Sequence, residues 1–272
     1  MIKVSQDLRD YIFNYLSGVL KDKDTHKKLI QRFNESFNLP EELLEIDNTK
    51  PYFKTSMLPR CPRKEYYRLQ GIAPVLTPES FLTLTGGNYI HHLLQICLED
   101  ILVDKEQMLL MDLGNYQILG KYDGVINFQN ELSLIEVKSM SPFATEKLFK
   151  ELAEAEKDYA SIFDRFRTTK SVFDILLQAN MYVKLLQGKY DIKKIWIIIY
   201  SKASVKDIPP IFTFWADYDE TIVEIGISKA NLIFKHLQEN TIPEKSPYSW
   251  ECHYCDYVNC EFNKRREKEG AD

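Results

Sequence analysis

The sequence predicts a mixed α/β fold, and three observations carry that expectation. The stretch from Gly120 to Ser139 reads as two apolar, β-branched strands, the first opened by Asp123 and the second closed by Glu136, Val137 and Lys138. Gln129-Asn130 is the natural reversal between them. Further on, Ile195 to Tyr200 is a nearly continuous apolar run, the mark of a strand covered on both faces. Strand 131–137, a crossover containing an apolar helix over about 171–186, and strand 195–200 then make a βαβ unit, right-handed by rule.

At 272 residues with 44% hydrophobic content, the chain is long and apolar enough for one elaborated domain or two. Its formal net charge of −5 argues against a purely electrostatic DNA binder. It does not exclude an enzyme acting on nucleic acid, whose active-site carboxylates are part of that negative count. Local basic patches stand at Arg60, Arg63, Lys64 and Arg68, and again at Lys264, Arg265, Arg266 and Lys268. Each reads equally well as a solvated face. The opening residues are too polar for a signal peptide and no apolar run is long enough to span a bilayer, so a soluble, cytoplasmic protein is expected.

In chain order, residues 5–38 read as two helices. Leu8, Ile12, Tyr15, Leu16 and Val19 form one stripe; Leu29, Phe33 and Phe37 form a weaker second. Pro40 to Pro51 is a connection, and residues 1–55 are expected to be a helical accessory region. Cys61 sits in a turn entering a short helix. Gly71 to Pro78 is a loop, and Thr85-Gly86-Gly87-Asn88 is another. A helix follows from about Asn88 to Val103 with Ile90, Leu93, Leu94, Cys97 and Ile101 on its buried stripe. At roughly 100° per residue, His91 lies at the border of that stripe and His92 points away from it. His91 is therefore the candidate site residue, although a boundary histidine is ordinarily just hydrogen-bonded.

Leu109 to Leu119 reads as a strand or irregular hairpin leading into Gly120. In a strand, residues two apart share a face, so Glu136 and Lys138 emerge together while Val137 turns into the core. Two carboxylates and a lysine at a sheet edge can hold a hard cation and tune a water beside it. They can equally form a cross-strand salt bridge of little consequence. Glu146 to Lys170 is highly charged and reads as helical and mostly solvated, an insertion at 140–170 or a mobile flap over the site. The 171–186 helix places Gln178 and Tyr182 one turn apart on one face, and Gly188 ends it. Ile211 to Trp215 is a strand and Ile222 to Gln238 a helix, completing a core of 56–246 before a C-terminal segment of 247–272.

That segment holds Cys252, Cys255 and Cys260, three of the five cysteines within nine residues. In a reducing compartment such a triplet reads as ligands. Cys97 lies on an apolar stripe and is assigned to the core. Cys61 is thus the fourth ligand. Four thiolates suit structural zinc or an iron–sulfur cluster, and His253 could replace one of them in a zinc site. One distant cysteine plus a triplet is unlike paired zinc knuckles, which favours the cluster.

Taken together, Gly87-x-x-x-His91, Gly120-x-x-Asp123, Glu136-x-Lys138 and Gln178-x-x-x-Tyr182 appear in that order between Cys61 and the cysteine triplet. Over about residues 56–262 the chain resembles the RecB-type PD-(D/E)XK nucleases, most of all the compact iron–sulfur exonucleases found beside CRISPR adaptation genes and in phages. Three departures stand out: the Cys255–Cys260 spacing is about one residue short, the 140–170 insertion is long, and residues 1–50 have no counterpart.

The resemblance implies a restriction-endonuclease-like αβββαβ core. In it His91, Asp123, Glu136 and the backbone carbonyl of Val137 bind one or two Mg²⁺ or Mn²⁺ ions. Lys138 orients or deprotonates the attacking water; Gln178 and Tyr182 hold the site and the DNA strand in register. A structural 4Fe-4S cluster on Cys61, Cys252, Cys255 and Cys260 braces a DNA-contacting surface near Arg60, Arg63 and Lys64. The expected activity is a metal-dependent exonuclease acting on single-stranded DNA ends in recombination, repair or CRISPR-type processing. The expected partners are DNA and a protein of a recombination or adaptation complex, in a host cytoplasm if the chain is viral. The alternatives are an inactive DNA-binding or assembly subunit, or a zinc-ribbon interaction protein.

Overall fold

A computed structural model describes residues 1–22, 24, 27–28, 31–32, 47–75, 78–163, 170–253 and 255–263. The stripe of Leu29, Phe33 and Phe37, most of the Pro40–Pro51 connection and the basic run at 264–268 lie outside the described residues. The fold is mixed α/β. Its main sheet has six strands in the order β1-β9-β8-β7-β6-β3: β1 (Ile2–Ser5), β3 (Leu102–Lys105), β6 (Gly124–Phe128), β7 (Glu131–Met140), β8 (Lys194–Ser201) and β9 (Ile211–Asp217). A smaller sheet pairs β2 (Tyr52–Lys54), β5 (Gln117–Lys121) and β4 (Met108–Asp112). Among the described residues the helices with defined bounds are α1 (Asp7–Lys21), α2 (Pro62–Leu69), α3 (Pro78–Cys97), α4 (Pro142–Lys157), α5 (Lys170–Leu186), α6 (Glu220–Gln238) and α7 (Ser249–His253). Helix α3, strands β3, β6 and β7, helix α5 and strand β8 give the expected αβββαβ succession, with β4 and β5 diverted into the second sheet.

The centre of this arrangement is the β6–β7 hairpin. Its loop is Gln129-Asn130, with φ of 55° and 62°, as a two-residue turn matched to strand twist requires. Strand β7 then runs parallel to β8, which is reached only after the α4–α5 crossover. The period of two is plain in the packing. Leu134, Ile195, Ile197 and Ile199 face the cluster that contains Leu148 and Leu152 of α4 and Leu176 of α5. Ile135, Val137, Trp196 and Ile198 face Leu8 and Ile12 of α1 and Leu94, Cys97 and Leu98 at the end of α3.

Four sequence expectations are corrected. The opening residues do not stand apart as helices alone: β1 is an edge strand paired antiparallel with β9, and α1 covers one face of the sheet. The segment Thr85-Gly86-Gly87-Asn88 is helix, not loop, because α3 starts at Pro78. A Cβ at Gly87 would come within 3.2 Å of Ser139 Oγ, so α3 lies close against the end of β7 there. The helix also stops at Cys97, and residues 102–105 form β3. Finally, the described part of the charged insertion is helical as expected but not mostly solvated. Helix α4 buries Thr145, Leu148, Glu151, Leu152 and Ala155 against the core and α5. Residues 164–169 of that stretch lie outside the described residues.

Candidate active site and cysteine cluster

The β6–β7 pairing sets Gly124 opposite Ile135, which brings Asp123, just ahead of β6, to the Glu136 end of β7. Asp123 Oδ2 accepts from the Val137 N–H at 2.6 Å, and Oδ1 lies 3.0 Å from His91 Nδ1 on α3. A carboxylate only accepts, so Nδ1 carries the proton and donates. Lys138 Nζ pairs with Glu136 Oε1 at 2.5 Å and donates to Gln178 Oε1 on α5 at 2.9 Å. Gln178 Nε2 reaches Tyr182 OH at 2.7 Å. The residues singled out at 91, 123, 136, 138, 178 and 182 therefore form two hydrogen-bonded sets, His91 with Asp123 and Glu136 with Lys138, Gln178 and Tyr182, which meet on β7 at residues 136–138. Close approach here is a glycine's work: a Cβ at Gly120 would stand 2.8 Å from Tyr182 Cε1 and 3.0 Å from Thr55 Cγ2.

Burial shapes the charges. Glu136 is almost wholly enclosed, and its Oε2 has no hydrogen-bond partner. Burial pushes its carboxyl up to about 7, against the pull of Lys138 and with the repulsion of Asp123. Burial acts on Asp123 in the same sense but is outweighed by His91 and the Val137 N–H, so that carboxyl is held below its usual range. For His91 burial favours the neutral ring, yet the Asp123 carboxylate prevails and raises its pKa. Burial raises the Tyr182 phenol well above its ordinary value. Among the described residues, no group of three or more His, Cys, Asp or Glu is arranged so that it could hold a metal ion. The protein's own donors occupy both Asp123 oxygens and Glu136 Oε1, and Glu136 Oε2 is the exception.

The second centre is built from the chain's two distant cysteine regions. Cys61 caps α2; Cys252 lies in α7, with Cys255 and Cys260 in the turns beyond it. All four thiols are buried and line one cavity. The Ser246 N–H donates to Cys61 Sγ at 3.2 Å, and Asn263 Nδ2 ties the turn through the carbonyls of Cys255 (3.1 Å) and Tyr257 (2.9 Å). Burial raises the Cys252 and Cys255 thiols. Cys97 stays in the core behind the sheet, with its thiol pushed up to about 12 by burial. His253 is exposed and does not line the cavity.

The three cations expected to touch DNA separate here. Arg60 is exposed. The Arg63 guanidinium instead donates to Glu261 Oε1 at 2.5 Å and to the Pro243 carbonyl at 2.7 Å, and lies over the Phe262 ring. Lys64 Nζ stands 3.7 Å from Asp256. Their side chains are only 12% and 18% exposed, so they clasp the cysteine segment rather than face solvent. Two features escaped the sequence reading. Gln95, one turn past His91 on α3, bonds to the Asp123 backbone. Lys170 and Asp174 of α5 form a buried ionic group with Glu251 of α7. The spacing of four from His91 could have pointed to Gln95; nothing local marks the other group.

No family model and no curated protein matches the chain. Among solved structures, the crystal structure of SSO0001 aligns over 88% of this chain and 96% of its own, at 18% identity and a TM-score of 0.46. An alkaline exonuclease from Laribacter hongkongensis aligns over 70% and 89%, at 11% identity and a TM-score of 0.41. A phage-related exonuclease from Haemophilus somnus aligns over 50% and 62%, at 15% identity and a TM-score of 0.32. No helix among the described residues is long and apolar enough to cross a membrane.

Proposed function

We propose that this protein is a Mg²⁺- or Mn²⁺-dependent deoxyribonuclease that hydrolyses phosphodiester bonds from single-stranded DNA ends, in recombination, repair or CRISPR-type processing. The observation that carries the reading is Glu136 Oε2, a carboxylate oxygen enclosed by protein without a donor, beside the partly buried Asp123. Leaving such an oxygen unpaired costs free energy that a cation would recover. His91 fits the same role, because committing Nδ1–H to Asp123 leaves Nε2 as a ligand nitrogen. The cation would be held by His91, Asp123, Glu136 and the Val137 carbonyl after these side chains turn from their protein partners towards it, since as they stand they do not form a metal-holding group.

Bound there, a divalent ion supplies Lewis acidity at a phosphate oxygen and a more acidic water. The chain's own residues do the rest. Lys138, fixed between Glu136 and Gln178, orients the attacking water or takes its proton. Tyr182 locks the Gln178 amide so that its oxygen, not its nitrogen, faces Lys138. Water adds to phosphorus, the bridging P–O bond breaks, and the departing oxygen takes up a proton.

In the same reading Cys61, Cys252, Cys255 and Cys260 hold a 4Fe-4S cluster that braces the C-terminal segment. Support for that reading is that the four thiols line one cavity, although as they stand they are not arranged as a metal-holding group, and that His253 is exposed, which speaks against a zinc site with a histidine ligand. Two measurements test the proposal. Strands labelled separately at each end should shorten progressively with Mn²⁺ and not with EDTA, and Lys138→Ala should abolish cleavage while DNA binding survives. Undiminished hydrolysis by that variant overturns the site. Anaerobically purified protein should be brown with broad visible absorption; colourless protein with stoichiometric zinc overturns the cluster.

A further inference from the structure

We propose that Gln95 is a positioning residue for the acid centre, fixing the Asp123 carboxylate for cation binding by gripping the Asp123 backbone. The inference rests on the metal-dependent reading above. Asp123 lies between β5, which ends at Lys121, and β6, which starts at Gly124, so it takes no part in a strand ladder itself. Helix α3 adds two constraints to the one from the β7 Val137 N–H. His91 and Gln95 are one turn apart and leave the same face of that helix.

Gln95 Nε2 donates to the Asp123 carbonyl at 2.8 Å and to Glu106 Oε1 at 3.0 Å. Both partners are acceptors, so the amide can face only one way; reversed, its oxygen would meet two oxygens. The residue is 5% exposed, which protects both bonds from water. Glu106 is anchored in turn by Lys121 Nζ at 2.8 Å and sits in the β3–β4 turn with φ of 45°. Asp123 is therefore held at its carbonyl by Gln95, at Oδ1 by His91 and at Oδ2 by the Val137 N–H. Remove the first and the peptide that follows Asp123 can rotate, carrying the carboxylate away from Glu136.

Gln95→Met keeps the approximate length of the side chain and deletes both N–H donors. Mn²⁺ binding to the full-length protein, followed by loss of the free-ion EPR signal, reads the effect without any cleavage assay. Loss of such an outer partner should weaken Mn²⁺ binding by about 10–100-fold. Tyr159→Phe is the control. It deletes a hydrogen bond to Asp219 of 2.9 Å in another part of the molecule, and should bind Mn²⁺ as the wild type does. Wild-type affinity in Gln95→Met overturns the inference even if its cleavage is impaired. Equal weakening in both variants also overturns it, as a general loss of stability. A wild-type protein that takes up no Mn²⁺ overturns the metal-dependent reading itself, and this inference with it.

Discussion

Replacing Lys170 by methionine should be among the most damaging single changes outside the apolar core. Lys170 opens α5 with its side chain 7% exposed, and its Nζ lies 2.5 Å from Asp174 Oδ2 and 3.3 Å from Glu251 Oε1. The Asp174 and Glu251 side chains are 15% and 7% exposed. Methionine preserves length and volume, so the change isolates the charge. An exposed pair would be worth at most about 1 kcal/mol. Removing one partner of a buried pair costs about 3–5 kcal/mol, because the other charge is stranded. Arg60 and Lys229 also act on Asp174, which puts the expectation at the lower end, about 3 kcal/mol. Urea unfolding at pH 7.5, followed by tryptophan fluorescence, measures it. The pH dependence supplies a second check. Burial already raises the Asp174 carboxyl, against the pull of Lys170. An acid whose folded pKa is raised binds more protons folded than unfolded, so stability falls as pH climbs from its unfolded value, about 3.9, through its folded value. Deleting Lys170 moves the upper edge of that window higher. The deficit of Lys170→Met should therefore shrink on acidification towards pH 5. A loss below about 1 kcal/mol at pH 7.5, or a deficit that grows in acid, refutes the buried-pair argument.

Further tests separate the two centres and the roles assigned around them. Gly120→Ala forces a methyl against Tyr182 and Thr55 and should cost about 1–3 kcal/mol, with cleavage reduced at saturating DNA; a neutral melting temperature would deny the close approach. Arg60→Ala should weaken DNA binding and lower the magnitude of the log–log salt slope by about 1. Arg63→Ala should leave that slope unchanged and lower the melting temperature instead, since its guanidinium is committed to Glu261 and Pro243; the reverse pattern would restore Arg63 to the DNA surface. Cys61→Ala should erase the visible absorption of the purified protein, whereas Cys97→Ala should keep it, because Cys97 lies in the core; equal spectra in the two variants would remove Cys61 from the set.

What could be read from the chain alone was whatever leaves a local signature. The Gln129-Asn130 turn is legible because left-handed φ at both positions restricts composition. Glu136 and Lys138 on one face follow from the pleat, and Gln178 beside Tyr182 from the helical turn. What failed depends on partners far away in sequence. Strand β1 is four residues long and becomes a strand only because β9 receives it near the other end of the chain. Gly86-Gly87 favours a loop by propensity, but packing of α3 on β7 overrides it. Glu151 sits in a stretch whose charges suggest a solvated surface. It is buried because its carboxylate accepts from the Ser171 and Val172 N–H groups at 2.8 and 3.1 Å, capping the start of α5. The cationic nature of Arg63 and Lys64 was visible, whereas Glu261 and Asp256, which engage them, were not connected to them by any local pattern.

The two halves of the acid–lysine constellation have separate supports. Asp123 and Glu136 are set by the β6–β7 pairing and by α3, whereas Lys138 is steered by α5 through Gln178. Helix α5 also bears the ionic contact to the cysteine segment, and its geometry explains how one helix meets both. Lys170, Asp174, Gln178 and Tyr182 recur every four residues. At roughly 100° per residue, each step of four overshoots a full turn by about 40°, so the row winds about 120° around the axis from first to last. Its beginning faces Glu251 beside Cys252, and its later members face Lys138 and Gly120. Between them Val172, Leu176, Ala179 and Val183 are sealed against the core, so the helix is held along its length and cannot satisfy one end by rolling away from the other. The fit of the cysteine segment and the aim of the lysine are thus fixed by the same rigid element, while the acids answer to the sheet.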